Sequence, residues 1–177
     1  TAEMGAALRR RMAIWEHIAA RAGELRIAAA VFVRDDAHDM ETWLVNTEVY
    51  ADELVVVDTG STDGTRALAE NAGAKVVDFP WQDDFAAARN AAIAAVDADW
   101  AAVLDADESF FDPSELRSYL AMVDVTMPRV DAVLLPIVHI DEDAGERETG
   151  RAPHIRLLRM GRGLFYEGRV HEALRKE

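Results

Sequence analysis

Trp100-Ala-Ala-Val-Leu104-Asp105-Ala-Asp107-Glu108 is an apolar run of strand length that opens into three carboxylates, and an acidic residue, Asp99, also precedes it. Such a run predicts a buried parallel strand whose end faces a crevice, because a strand covered on both faces is apolar throughout while ligand chemistry collects at its carboxyl end. Asp105 and Asp107 stand two apart. They share a face if the strand continues, or a tight turn if it stops, and in either case their oxygens can converge on one hard divalent cation. Like charges held together repel unless a cation neutralises them. A solvated acidic loop after a strand is the other reading of the same residues, so the remainder of the chain has to decide.

Outward from this strand, hydrophobic stretches of the two kinds alternate. Ile27 to Val33, Glu53 to Asp58 and Ala74 to Phe79 read as three further strands. Helices are expected over Asp39 to Tyr50, from a Ser61 or Thr62 cap to a stop at Gly73, from Asp83 or Asp84 through Val96, and over Pro113 to Val123 behind an Asp112-Pro113 cap. Strand and helix in turn, with connections of a few residues, predict an α/β domain: a Rossmann-like, mostly parallel sheet covered by helices on both faces. After Met127 the rhythm changes. Val130 to Val138 reads as a long strand, Asp141 to Gly150 as a charged loop, and His154 to Met160 with Leu164 to Val170 as a C-terminal β-hairpin about Gly161 and Gly163. Residues 1–25 form a separate N-terminal amphipathic helix with Leu8, Met12, Trp15, Ile18 and Ala22 on one stripe, expected to pack on the domain made by 26–177.

Composition narrows the function. The 177 residues are 50% hydrophobic, enough for one domain with a real core. Nineteen basic against 33 acidic side chains give a formal net charge of -14, which argues against nucleic acid or an anionic membrane as partner. With no cysteine there is neither a disulfide nor a thiolate metal site. No apolar run approaches the roughly 18 residues of a transmembrane segment, so a soluble, cytoplasmic chain is expected. Thr1 stands where an initiating Met would, which suggests a piece of something longer.

The strand ends are where chemistry is expected. Strand one closes on Val33-Arg34-Asp35-Asp36, strand two on Asp58-Thr-Gly-Ser-Thr-Asp63-Gly-Thr65 and strand four on Asp105-Ala-Asp107-Glu108, bringing three acidic endings to one edge. The Asp58 to Thr65 segment is no phosphate loop: its glycines are too close together and no lysine follows. It reads as a polar turn leading to a helix N-terminus, either a binding loop or a plain cap. Arg89 shares a helical stripe with Phe85, Ala92, Ile93 and Val96 and so turns inward, where a guanidinium needs an anion, either a core carboxylate or a bound diphosphate.

Taken together, Glu53-Leu-Val-Val-Val-Asp58-Thr-Gly-Ser-Thr-Asp63-Gly-Thr65, Phe85-Ala-Ala-Ala-Arg89-Asn90, Leu104-Asp105-Ala-Asp107-Glu108 and Tyr166-Glu-Gly-Arg-Val-His171-Glu172 resemble family 2 glycosyltransferases of the GT-A fold, over about Ile27 to Leu174. The resemblance implies metal-dependent, inverting transfer of a sugar from a nucleotide-diphosphate donor to an acceptor of unknown kind, whether saccharide, lipid or protein. Carried onto this chain, Val33 and Arg34 would flank the base, Asp58 would bond the base or ribose, and Arg89 would face the base or diphosphate. Asp105 would touch the ribose or the metal, Asp107 would hold Mn or Mg, and His171 would reach the metal or diphosphate. Glu172 would be the acceptor's general base, with Asp141, Glu142 and Asp143 as rivals.

Two departures from the family pattern stand out. Arg34-Asp35-Asp36 replaces the Lys-Asn-Glu common after strand one, which leaves the donor nucleotide open. The chain also ends just past the late motif, so acceptor-binding elements are expected to be missing, and the catalytic domain truncated. Two alternatives remain. One is a nucleotide-sugar-binding module without turnover. The other is a haloacid-dehalogenase-type phosphotransferase using Asp105, although that motif normally follows the first strand and no lysine lies between Lys75 and Lys176.

Overall fold

A computed structural model describes residues 2–141, 145 and 147–177. In chain order the elements are α1 (Ala2–Glu24), β1 (Ile27–Val33), α2 (Ala37–Glu48), β2 (Glu53–Asp58), α3 (Thr65–Asn71), β3 (Lys75–Asp78), α4 (Phe85–Ala95) and β4 (Trp100–Val103). A 3₁₀ turn at Pro113–Glu115 leads into α5 (Leu116–Thr126), and β5 (Ala132–Asp141), β6 (Arg147–Arg159), β7 (Leu164–Glu167) and β8 (Ala173–Lys176) follow.

Six strands form one sheet in the order β3-β2-β1-β4-β6-β5, while β7 and β8 pair apart from it. The contacts of β1 with β2, β1 with β4 and β2 with β3 are parallel, and β6 runs antiparallel to both β4 and β5. The apolar runs of β1 and β4 have the cause expected of them. Every β4 residue is buried, and so is all of β1 except a half-buried Phe32. One face carries Ile27, Ala29, Val31 and Val33 against Met40 and Trp43 of α2, Ala69 of α3 and Leu120 of α5. The other carries Ala30, Val55, Val57, Ala101 and Val103 against Ala86, Ala92 and Ile93 of α4, with Tyr166 of β7 closing the layer. Helices thus cover both faces, as the alternation predicts.

The chain passes from β1 outward to β2 and β3, then returns to place β4 on the opposite side of β1. The carboxyl ends of β1 and β4 therefore diverge at the point where strand order reverses, the place where open α/β sheets form their ligand crevices.

Three expectations need correction. The charged stretch 141–150 is not one long loop. β5 runs to Asp141 and β6 starts at Arg147, and these two long strands form the hairpin, with register shifts at Val133/Leu134 and His139/Ile140. Much of its outer half is exposed on both faces, so no apolar alternation marks it in the sequence. Glu142 and Asp143 lie outside the described residues. Second, His154 to Met160 does not pair with Leu164 to Val170. β6 joins β4 and β5, and β7 pairs with β8. Third, α3 begins at Thr65 rather than after Ser61 or Thr62, because Asp63 accepts the Thr65 N–H at 2.9 Å and the intervening residues bond the neighbouring loop instead.

The stripe on α1 divides. Its C-terminal end packs along α5, where Ile18 is buried and Arg21 Nε reaches Asp124 at 2.7 Å. Leu8, Met12 and Trp15 stay exposed.

Candidate active site

The loops after β1 and β2 are knitted together by aspartates. Asp35, at φ 55°, uses Oδ1 to accept the Thr62 N–H at 2.6 Å, the Thr62 hydroxyl at 3.1 Å and the Asp63 N–H at 3.3 Å. Its own N–H donates to Ser61 Oγ, and the Ala37 N–H donates to Asp63. Within Arg34-Asp35-Asp36, Asp35 thus has a clear structural task. Asp58 Oδ1 accepts the N–H groups of Gly60 and Ser61 at 3.1 and 2.8 Å, and between these two donors the chain turns through Gly60 at a φ of 113°, a conformation that glycine takes without strain. Burial works against ionisation of Asp58, but these donors, the Ser61 hydroxyl and Arg66 overcome it and hold the carboxyl below its ordinary range.

At the switch point lies a cleft of about 560 Å³ lined by Phe32, Asp36, Asp39, Phe85, Arg89, Asp105, Ala106, Asp107, Val170, His171 and Glu172. Five segments supply it: β1, α2 with its N-cap, α4, the turn after β4 and the connection from β7 to β8. α4 is started by Asp84, whose Oδ1 accepts the Ala87 N–H at 2.9 Å, and this fixes the helix that carries Arg89. Asn90 then clasps β7 with two bonds, donating to the Tyr166 carbonyl at 2.8 Å and accepting the Tyr166 N–H at 2.7 Å. The Phe85 N–H donates to the Arg169 carbonyl, so the 168–172 segment is tied to α4 at its near end, and His171 takes a φ of 56° on the cleft wall.

Arg89 is 5% exposed. Its Nε donates to Glu172 Oε1 at 2.6 Å and its Nη2 to Asp105 Oδ1 at 2.7 Å, while the guanidinium lies over the rings of Phe32 and Tyr166 at 5.1 and 5.7 Å. Nη1 is buried with no hydrogen-bond partner among the described residues. Burial opposes the charge on Arg89, yet Asp105 and Glu172 outweigh it and raise its pKa, so it stays cationic throughout.

Asp105 is held from both sides, since Arg156 Nη2 donates to its Oδ2 at 3.0 Å. Arg156 also forks onto Glu108, with both contacts at 2.7 Å. Glu108 closes the turn by accepting the Asp105 N–H at 3.1 Å. Asp107 differs from its neighbours in forming no ion pair among the described residues. Partial burial first, then the negative charges of Asp105, Glu108 and Asp39, push its carboxyl above the usual range.

The cleft thus gathers Arg89, Asp105, Asp107, His171 and Glu172, residues from as far apart as 83 positions. Val33, Arg34 and Asp58 do not line it. The Val33 side chain is in the core, Arg34 points outward, and Asp58 is turned into its own loop. Asp141 ends β5 and does not line the cleft either. Sequence reasoning passed over Arg156, although a lone cation in Ile155-Arg156-Leu157-Leu158 is the signal that could have marked it. It also left Asp36 and Asp39 without a site role.

No helix among the described residues is long and apolar enough to cross a membrane. The family model described as glycosyl transferase family 2 matches residues 42–172. A TPR repeat-containing protein of Synechococcus elongatus is 39% identical over 139 residues, which are 77% of this chain and 32% of that protein. An uncharacterized glycosyltransferase of Rickettsia bellii is 36% identical over 83 residues, 47% of this chain and 28% of its own length. The chain therefore spans about a third of the curated relatives it matches. Among solved structures, a mannosyltransferase from Pyrobaculum calidifontis in complex with GDP-Man and Mn2+ superposes with a TM-score of 0.53, at 24% identity, over 61% of this chain and 34% of that one. Glucosyl-3-phosphoglycerate synthase of Mycobacterium tuberculosis, in complex with Mn2+ and UDP-glucose, gives 0.51 at 25% identity over 67% of this chain and 45% of that one. A family match that begins within α2 and runs through to Glu172 takes in most of the cleft, and the chain belongs to glycosyl transferase family 2, with the GT-A fold.

Proposed function

We propose that this chain transfers a sugar from a nucleotide-diphosphate donor to an acceptor nucleophile, with a divalent cation and with inversion at the anomeric carbon. The observation that carries the reading is the convergence of Arg89, Asp105, Asp107, His171 and Glu172 on one cleft at the switch point of the sheet. The solved relatives bound to GDP-Man and UDP-glucose support a nucleotide-sugar donor.

The residues present fit Mn or Mg. Among the described residues no group of three or more acidic or histidine side chains is arranged to hold a metal by itself. Mg-like ions, however, are commonly held by one or two carboxylates together with substrate phosphates, and Asp107 is a cleft-lining carboxylate that forms no ion pair among the described residues. Asp107 would be the principal ligand, with His171 in reach of the same cleft, while Asp105, whose two oxygens are engaged by Arg89 and Arg156, would contact the ribose. The ion, when bound, supplies Lewis-acid stabilisation of the diphosphate leaving group.

Around it the chain's own groups divide the work. Arg89 lines the cleft as a cationic donor suited to the diphosphate or base. The base end is assigned to the adjacent strand ends, where Val33 pairs in register with Asp58 and Arg34 follows. Glu172, anchored through Oε1 by Arg89, takes the acceptor's proton. The acceptor atom bonds to the anomeric carbon from the face opposite the diphosphate, and the bond to the phosphate oxygen breaks with its electron pair leaving on the nucleoside diphosphate. The acceptor class, whether saccharide, lipid or protein, belongs to elements beyond this cleft. Residues 26–177 form the catalytic domain in this reading and α1 an appended element.

Calorimetry with UDP-, GDP- and TDP-sugars, with and without Mn2+, followed by a donor hydrolysis assay, tests the proposal. Metal-dependent binding of one nucleotide, abolished in Asp107→Ala, is expected. Metal-independent binding that survives Asp107→Ala would refute the metal assignment, and an aspartyl phosphate at Asp105 with no nucleotide bound would refute the whole reading.

A further inference from the structure

The turn that carries Asp105, Asp107 and Glu108 would, if all three carboxylates were open, be an attractive cation trap with no donor present. In the folded chain it is not open. Arg156, 8% exposed on β6, reaches across the sheet to it. It covers both oxygens of Glu108 at 2.7 Å and Oδ2 of Asp105 at 3.0 Å, while Arg89 covers Oδ1 of Asp105 at 2.7 Å. Glu108 is thus forked by a buried guanidinium and each oxygen of Asp105 is engaged by one, whereas Asp107, which lines the cleft beside Asp105, forms no ion pair among the described residues.

We propose that Arg156 is a positioning residue that withholds Asp105 and Glu108 from the cation, so that the metal enters only together with the donor diphosphate. This rests on the reading of the cleft as a metal and nucleotide site. The physical argument is one of ligand count. A divalent cation offered one carboxylate in water gains little over its hydration shell, whereas one offered that carboxylate plus two phosphates completes its coordination. A planar fork suits the task better than an ammonium, because it can satisfy Glu108 with two parallel bonds and still reach Asp105. The pairing is also costly to undo, since an uncompensated charge would be left where both partners are largely buried. The cation therefore cannot readily recruit these carboxylates by pulling them off Arg156.

Donor-free Mn2+ affinity is the informative quantity, read by electron paramagnetic resonance of free Mn2+ during titration of the protein. Wild-type chain should bind Mn2+ at least about tenfold more weakly without UDP than with it. Arg156→Met releases Glu108 and one oxygen of Asp105, and should bind Mn2+ without UDP about tenfold tighter than wild type, the scale on which outer partners of metal ligands act. Arg156→Lys keeps the charge but loses the fork, and should fall between wild type and Arg156→Met. A purely structural role would lower the melting temperature of Arg156→Met and leave its donor-free Mn2+ affinity unchanged or weaker, and that result overturns the proposal. Where Arg156→Met does not fold, Arg156→Gln, which removes the charge and the contact to Asp105 while keeping an amide N–H for Glu108, must still bind donor-free Mn2+ tighter than wild type. Equal Mn2+ affinity of the wild type with and without UDP overturns the proposal without any variant. If no nucleotide binds the wild type under any condition, the proposed function fails, while the comparison of Arg156→Met with wild type in donor-free Mn2+ still decides the role of Arg156.

Discussion

Replacing Arg89 with Met removes the guanidinium that joins α4 to the two ends of the site, and its cost follows from what is left behind. The Met side chain keeps apolar packing between Phe32 and Tyr166, so the lost area is small. The loss is electrostatic. Glu172, with a side chain 16% exposed, has no other ion-pair partner among the described residues, and Asp105, 34% exposed, keeps only Arg156. Removing one member of a buried pair costs about 3–5 kcal/mol. The exposure of Asp105 and its retained partner place this case at the low end, about 3 kcal/mol. For a chain of this length that corresponds to a fall in Tm of about 6–12 °C. Differential scanning calorimetry at pH 7 reads it directly. A double variant Arg89→Met with Glu172→Gln removes the stranded charge and should recover part of the loss, with a coupling of about 1–3 kcal/mol between the two positions. A melting temperature for Arg89→Met within scan reproducibility of the wild type would refute the argument, since it would mean that the buried guanidinium compensates nothing.

Further outcomes follow from the caps and the strand-end loops. Asp84→Ala removes the acceptor of the Ala87 N–H at the start of α4 and should cost about 1 kcal/mol, a Tm fall of about 2–4 °C, with no change at all refuting the cap. Folding lowers the pKa of Asp58, so its contribution to stability is fully present above the ordinary aspartate range and is lost as the pH falls through and below it. Urea unfolding between about pH 5 and 3 should therefore show a steeper loss in wild type than in Asp58→Asn, and parallel slopes would contradict the assignment.

The local elements were legible because each is written in adjacent residues. The continuous apolar runs of β1 and β4 do mark strands buried on both faces, and Asp84 does cap the helix it precedes. What escaped was the outer half of the β5–β6 hairpin. Two largely exposed strands need no hydrophobic alternation to pair, so the charges of 141–150 read as loop. The polar loops after β1 and β2 were recognised as polar, but not as a mutual lattice in which Asp35 serves as the knot.

The sequence by itself determined the order of strands and helices through α5, the edge of the sheet where polar residues collect, and the inward face of Arg89 beside Asp105 and Asp107, because hydrophobic period and strand-end position are local properties, while His171 and Glu172 joined that set only through the resemblance to family 2 glycosyltransferases. Only the tertiary structure decided how those residues share their charges. Glu172 meets Arg89 across 83 positions, and Arg156 meets Glu108 across 48, so their pairing depends on the packing of the β-rich C-terminal segment from β5 onward against α4 and β4. Ion pairs are settled by distance and burial, neither of which adjacent residues encode. That is why two neighbouring aspartates with the same chemistry end in different states, Asp105 bound between two arginines and Asp107 open to the cleft.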